Sequence, residues 1–462
     1  MTSAQVPALE PAILVIFGVT GDLAQRKVLP AIYHLFKNNL VHESTYIVGT
    51  SRSKLSVADM TDRIRQAITA KGAQADETVL TRLAEHMSTA QVDPVVDADY
   101  AKLRTQLQEL EDSVGLCLHR LFYLSIPPQV YGGVVQRLGE QGLNQSCAHG
   151  RAHSRLLVEK PFGYDLVSAQ ELIAATAQHF EEAQIFRIDH YLAQETAQNI
   201  LTFRAQNPLF NQIWNNRHIT KITVTATEKI GIEGRANFYE QVGALRDLIQ
   251  SHLLQLLSLT LMDIPRDMNA ATIHEAKHHV LKHIEPLPAN KVPERAVRGQ
   301  YDTYRKEVHN PDSSTETYAA ITLFSSDPEW TDIPLHLITG KALAEKHTSI
   351  TVDFDGQNAN RLQFRIQPDE GITLGLQVKK PGLSNGVEPT SLDFTYHNTF
   401  KNTAADAYER VVIEALRGDR TLFATDEEVL LAWHILQPLL DEWAKSDHDL
   451  RIYEKGSEGP SA

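Results

Sequence analysis

The sequence predicts an α/β protein: a doubly wound parallel sheet first, then an α+β domain with a large, mainly antiparallel sheet. Three observations predict it. Up to about residue 190, strand-length apolar runs alternate with helical patterns, as βαβ units require. Residues 13–17 are apolar at every position, as in a central parallel strand covered on both faces. Beyond 190 the strict alternation stops, and period-two strands are interleaved with long helices.

The elements follow in order. Ile13-Leu14-Val15-Ile16-Phe17 is the first strand. A glycine-rich turn leads to a helix carrying Leu29, Ile32, Tyr33, Leu35 and Phe36. Residues 46–49 form a short second strand before a helical pattern over 57–70. Residues 121–125 and 155–159 are later strands, the second ending at Lys160-Pro161. In the second half a helix over 192–206 precedes an alternating strand over 221–227. Further strands are expected at 317–324, 334–339, 348–354 and 361–366, and helices at 242–262, 270–283, 403–417 and 425–444. The expected domains are 1–189, binding a dinucleotide, and 190–462, binding substrate and forming oligomers. Such a boundary would place the site in a cleft between domains, where substrates tend to bind. Residues 456–462 read as a frayed tail.

At 462 residues the chain is too long for one typical core. Its 42% hydrophobic and 22% charged content is ordinary for a soluble enzyme. No run approaches the ~18 apolar residues of a membrane span, and the first residues lack the basic-then-apolar pattern of a signal peptide. Two cysteines, Cys117 and Cys147, cannot build a disulfide framework and fit a reducing compartment, so the cytoplasm is expected. A net charge of −14 argues against nucleic acid as a partner. A small anion would have to be held by local Lys and Arg.

The turn Gly18-Val19-Thr20-Gly21-Asp22-Leu23-Ala24 sits between the first strand and the first helix. Gly18 permits a tight turn, Gly21 lets backbone approach a pyrophosphate, and Ala24 allows close helix–strand contact. Amides at the helix start, with Thr20, Asp22 and Leu23 around them, then face the phosphates. This makes the first domain Rossmann-like. After the second strand comes Arg52 and no acid, which suits the 2′-phosphate of NADP; the plain alternative is an arginine in solvent.

Two further segments carry chemistry. Arg187-Ile188-Asp189-His190-Tyr191-Leu192-Ala193-Gln194-Glu195 packs a cation, an acid, an imidazole, a phenol and an amide into nine residues. If helical, it sets His190 and Gln194 on one face. On a wheel of about 100° per residue, His252 falls among Leu245, Leu248, Leu256 and Leu259. A histidine there is ordinarily a satisfied core residue; the alternative is a base held in a dry site. His274-Glu275-Ala276-Lys277-His278 has the zinc-protease spacing H-E-x-x-H. No extended histidine motif follows, and although Glu285 or Glu294 could supply a third ligand the run reads as a chance match, so no metal is expected. His279 and His283 read as decoration of a solvated helix face.

The run from Arg187 to Glu195 resembles the RIDHYLGKE signature of the glucose-6-phosphate dehydrogenases, altered at two positions. Residues 18–27 are similar to the family's GxxGDLA(K)xK segment, whose last lysine, Lys27 here, serves the active site. Glu159-Lys160-Pro161-Phe162-Gly163 matches EKPFG, whose lysine touches coenzyme and sugar. Residues 243–255 resemble a segment ending in RDxxQNHLxQ, with Ser251 in place of Asn. Asp406-Ala407-Tyr408-Glu409-Arg410 looks like the DAYER helix. The likeness covers nearly the whole chain.

The resemblance implies that His252 is the general base, paired with Asp189. Glu228 and Asp247 would bind sugar hydroxyls. His190, Tyr191, Lys341 and Lys346 would line the sugar phosphate site, and Lys160 would touch both coenzyme and sugar. It implies oxidation of the C1 hydroxyl of β-D-glucose 6-phosphate to 6-phosphoglucono-1,5-lactone with NADP. That is the entry step of the pentose phosphate route, carried out by homodimers or homotetramers. Gln194 stands where the family has a phosphate-binding lysine. Losing one charge-assisted contact costs about 1.5–3 kcal/mol, enough to alter preference but not to abolish the chemistry. Three readings stay open: weaker use of the same substrate, a different or unphosphorylated aldose, or an idle NADP-binding paralogue. Retention of His252 and Asp189 counts against the last.

Overall fold

The computed structural model describes residues 9–145, 152–356, 360–400 and 406–460. The chain divides into two compact units, each assembled from separated segments. The first comprises Met1–Phe162, Gln170–Ala193 and Ala405–Asp426; the second Gly163–Ala169, Gln194–Ala404 and Glu427–Ala462.

The first unit is built on β1 (Ala12–Phe17), β2 (Thr45–Ser51), β3 (Met87–Gln91), β4 (His119–Leu124), β5 (Ser154–Val158) and β6 (Ile185–Ile188). These run parallel in the order β6-β5-β4-β1-β2-β3. β1 is central and buried at all six positions, as an apolar run demands. The chain order reverses between β1 and β4, so their carboxyl ends flank the crevice where doubly wound sheets bind ligands. The helices 29–37, 57–70 and 77–85 pack one face of the sheet together with helix 407–417, whose Val411, Val412 and Ala415 join the same core cluster. This apolar face explains why helix 407–417 belongs to the first unit.

The second unit carries a nine-stranded sheet. Its strands are β7 (Ile219–Thr227), β8 (Ala296–Tyr301), β9 (Tyr318–Leu323), β10 (Leu335–Gly340), β11 (His347–Phe354), β12 (Arg361–Gln367), β13 (Gly371–Lys379) and β14 (Val387–Thr395), with Leu450–Tyr453 at one edge. The two-residue β15 (Phe423–Ala424) pairs antiparallel with β6 in the first sheet, which makes the Leu450–Tyr453 strand β16. The order is β14-β13-β12-β11-β7-β10-β9-β8-β16. Only β7–β10 and β8–β16 are parallel, so the sheet is mainly antiparallel as expected. β7 alternates buried and half-exposed positions, the pattern its sequence carries.

Four differences stand out. β3 (MSTAQ) lacks the apolar alternation that marks a strand. β14 at the sheet edge is largely exposed and β13 beside it is mostly half-buried, so no buried face imprints a period on them. Residues 189–193 form a turn rather than a helix start, and the helix runs Glu195–Gln206. Cys117 is disulfide-bonded, which departs from the thiol state a reducing compartment favours; Cys147 lies outside the described residues. Among the described residues, no helix is long and apolar enough to cross a membrane.

Candidate active site

In the first unit the turn after β1 has the form a phosphate cradle needs. Gly18 adopts φ 75°, and a Cβ there would run into the Ser125 carbonyl at the end of β4. Glycine is therefore required where β1 and β4 diverge. Gly21 N–H donates to Gly18 O at 2.9 Å and closes the turn. A cavity of about 490 Å³ opens beside it, lined by Gly18, Thr20, Gly21, Thr50, Ser51 and Arg52 among others. Its position at the carboxyl end of the sheet and the two glycines in its lining fit a dinucleotide. Arg52 lines the cavity as expected. So does Asp93, which the sequence reading missed because β3 was not recognised; its Oδ1 accepts from Val95 N at 3.1 Å. Asp22 is exposed and pairs with Arg26 at 2.7 Å, while Leu23 is half-buried at the start of the helix and Ala24 is fully buried. The helix opens with a π-helical turn over Ala24–Val28, which carries Lys27.

Beyond the cavity the same unit gathers a second set of groups. Glu159, at the end of β5, is buried and accepts from Tyr123 Oη at 2.5 Å; Tyr408 also hydrogen-bonds it. Burial raises its carboxyl to about 7, with the nearby Asp189 adding to the rise, against the opposing pull of Tyr123, Lys160 and Tyr408. Lys27 Nζ sits 5.7 Å over the Tyr408 ring, and His190 stacks on that ring at 6.3 Å. His190 and Tyr191 rings lie 5.0 Å apart. Asp189 is buried, and its Oδ1 accepts from Tyr191 N at 2.9 Å and Leu192 N at 3.4 Å. This Asx turn swings the chain out of β6 and fixes the direction of His190 and Tyr191. Lys160 precedes a cis Pro161 and is half-exposed. Tyr408 and Glu159 join this group of side chains although no sequence pattern singles them out.

In the second unit the helix bearing His252 is prepared by its own first residues. Gly243 takes φ 67° and ends the preceding helix Ala236–Ala244. A Cβ on Gly243 would collide with the Glu316 carboxylate. Glu316 Oε1 accepts from Leu245 N at 2.9 Å and caps the new helix. Residues Leu245–Leu253 are then π-helical before α-helix resumes at Leu254–Leu261. π-helical segments often occur at functional sites, and here one carries both Asp247 and His252. His252 is 1% exposed. Leu245, Leu248, Leu256 and Leu259 are all buried as expected, but so is nearly every residue of this helix. An α-helical wheel thus had no face to select. Ser251 Oγ donates back to Asp247 O at 2.7 Å, which satisfies the hydroxyl within the helix.

Parallel strands β7 and β10 end in register, Thr227 beside Gly340, so Glu228 and Lys341 leave the sheet as neighbours. Lys341 is 3% exposed, ion-paired with Glu228, and its Nζ lies 3.7 Å from Asp247 and 5.1 Å from the Tyr239 ring centroid. A buried lysine between two carboxylates satisfies its charge, and the carboxylates keep oxygens able to accept from hydroxyls. The π-helical segment packs on β7 and β10, which brings Asp247 to this corner.

Other expectations need correction. His190 and Gln194 do not share a helical face: His190 lies in the turn, and Gln194 is the N-cap residue of helix Glu195–Gln206, with no side-chain capping bond. Lys346 is exposed just before β11, unlike the buried Lys341, so the two do not form an equivalent pair. His274 and His278 do not present a zinc site. His274 Nδ1 is 2.8 Å from Glu428 Oε1, His278 Nδ1 is 3.1 Å from Glu427, and Lys277 binds Glu428 at 2.8 Å.

Comparison with known proteins accounts for this collection of groups. A family model described as "Glucose-6-phosphate dehydrogenase, NAD binding domain" matches residues 15–199, and one for the C-terminal domain matches 201–462. The chain belongs to the glucose-6-phosphate dehydrogenase family. It is 38% identical to the glucose-6-phosphate 1-dehydrogenase of Aggregatibacter actinomycetemcomitans, across 98% of this chain and 95% of that one. The Chlamydia muridarum enzyme of the same name is 37% identical, with 98% and 95% covered. A solved glucose-6-phosphate dehydrogenase in complex with its substrate glucose-6-phosphate superposes with TM-score 0.91 at 32% identity, covering 99% of this chain and 97% of that one. The protein is accordingly an oxidoreductase with a nicotinamide-coenzyme domain.

Proposed function

We propose that this protein oxidises the C1 hydroxyl of β-D-glucose 6-phosphate to 6-phosphoglucono-1,5-lactone with NADP as acceptor. One observation carries the reading: a histidine held almost out of water on a π-helical segment that also delivers Asp247 to Lys341 and Glu228. His252 takes the C1 hydroxyl proton, which avoids building a protonated carbonyl as hydrogen leaves C1. The family resemblance assigns Asp189 to orient that imidazole and stabilise its charged form. Glu228 and Asp247 accept from sugar hydroxyls, with Lys341 balancing their charge. His190, Tyr191 and Lys346 serve the phosphate-bearing side of the sugar, Lys27 serves the sugar, and Lys160 serves both coenzyme and sugar. Gly18, Thr20, Gly21, Asp22 and Leu23 would hold the coenzyme pyrophosphate, and Arg52 its 2′-phosphate. The bound nicotinamide supplies the hydride acceptor.

The exposed apolar side chains Val378, Val387 and Leu392 on β13 and β14 support a homodimer or homotetramer formed through the second sheet. The cytoplasm remains the proposed location, and cell fractionation would test it. The test of the reaction is a steady-state comparison of glucose 6-phosphate with glucose, following NADPH, in the natural chain and in Gln194→Lys. The phosphorylated sugar should be strongly preferred, and the lysine should improve its kcat/KM roughly ten- to a hundredfold. Equal use of both sugars would defeat the substrate assignment. An unchanged variant would defeat the account of position 194.

A further inference from the structure

The zinc-like spacing in helix Ala270–His283 draws attention to the wrong pair of histidines. His274 and His278 turn toward Glu428 and Glu427, but one step around the helix His279 and His283 are again four residues apart. Their rings lie 4.3 Å centroid to centroid. Asp327, in the connection after β9, reaches the same spot: its Oδ2 is 2.9 Å from His279 Nε2. One ligand atom from each of the three residues lies within 4.8 Å of the other two, and among the described residues this is the one such group of His, Cys, Asp or Glu.

We propose that His279, His283 and Asp327 form a binding site for a divalent transition metal ion of the zinc class. The site goes beyond the dehydrogenase reading and departs from the expectation that the chain takes no metal. Two imidazoles and a carboxylate suit such ions, leaving a fourth position for water. Metal-binding histidines usually commit their other ring nitrogen to a fixed acceptor. His283 does so: Nδ1 lies 2.7 Å from the His279 carbonyl, so as a donor there it leaves its lone pair on Nε2. The carboxylate is also set in place. Asp327 Oδ1 accepts from Glu329 N at 2.9 Å, and Asp327 N donates to Ser325 Oγ at 3.1 Å.

The backbone holds the two ligand-bearing segments together without metal. Ser326 N donates to His283 O at 2.9 Å, and Glu285 N to Phe324 O at 2.9 Å. Tetrahedral ligands about 2.1 Å from zinc stand roughly 3.4 Å apart, so the His279–Asp327 contact need open by only a few tenths of an ångström. The metal takes the place of an exposed His279–Asp327 contact that by itself contributes little. His279 is 58% exposed, which leaves an entry path from solvent. Once bound, the ion ties the end of helix Ala270–His283 to the β9–β10 connection.

The test titrates chelator-treated full-length protein with Zn²⁺ by calorimetry, and with Co²⁺ by visible absorption. The natural chain should bind one ion more tightly than the scatter of single surface histidines, and cobalt should give a tetrahedral-type spectrum. His283→Gln and Asp327→Asn should each weaken binding at least tenfold, and His279→Gln/His283→Gln should abolish that site. His278→Gln should leave it intact, which separates this site from the H-E-x-x-H pair. All variants should retain dehydrogenase turnover, confirming that they fold. Absence of a distinct zinc site in the natural chain, or binding undiminished in the double variant, overturns the proposal.

Discussion

Glu159 offers the sharpest test of how the first unit treats its charges. Burial, aided by Asp189, lifts its carboxyl to about 7 from an ordinary 4.5, despite the Tyr123 and Tyr408 hydrogen bonds and the charge of Lys160. Because the folded value is the higher one, the native protein binds this proton more tightly than the unfolded chain between about pH 4.5 and 7. Stability from this group is therefore full below that window and is lost as pH rises through it. At about 1.36 kcal/mol per tenfold change, the loss is about 3 kcal/mol. Glu159→Gln keeps the shape and removes the titration. Urea unfolding of both proteins should then show the stability difference moving by about 3 kcal/mol in the variant's favour between pH 4.5 and 8. A difference that stays constant with pH would mean that Glu159 ionises like an exposed carboxyl, and the burial argument would fail.

Two other substitutions probe the coenzyme turn and the core of the second unit. Gly18→Ala forces a Cβ against the Ser125 carbonyl at a left-handed φ, so NADP affinity measured by fluorescence titration should fall at least tenfold; unchanged affinity would remove the turn from the coenzyme site. Lys277→Met leaves the fully buried Glu428 without its ammonium partner, and breaking such a pair should lower stability by about 3–5 kcal/mol in thermal or urea unfolding. A loss below about 1 kcal/mol would mean that His274 and Gln255 suffice to hold that carboxylate.

Much of the site was legible wherever one residue type serves one purpose. Gly18 and Gly21 stood out because only glycine fits the turn, and β1 because a strand buried on both faces has no polar positions. His252 stood out as an imidazole amid leucines, but its setting did not: helical wheels assume about 100° per residue, and Leu245–Leu253 is π-helical. The run from Arg187 to Glu195 misled for a related reason. Its first residues belong to a buried strand where Arg187 pairs with Glu182 at 2.8 Å, and Asp189 then spends one oxygen on a turn. Local pattern could not show either. Nor could it show that helix 407–417 closes the first unit and sets Tyr408 against Glu159, since that partnership joins residues about 250 positions apart. The glutamate Glu316, which caps the His252 helix from a loop before β9, was invisible for the same reason.

The central claim is that His252 carries the proton in the oxidation of the sugar. The direct measurement is turnover of glucose 6-phosphate by His252→Asn, with NADP binding followed in parallel. Asn preserves a polar group of similar reach but cannot act as a base near neutral pH. The expected result is that kcat falls by roughly a hundredfold to ten-thousandfold while NADP affinity stays within about twofold. Turnover close to that of the natural chain would return His252 to the packed interior and leave the chemistry to some other group.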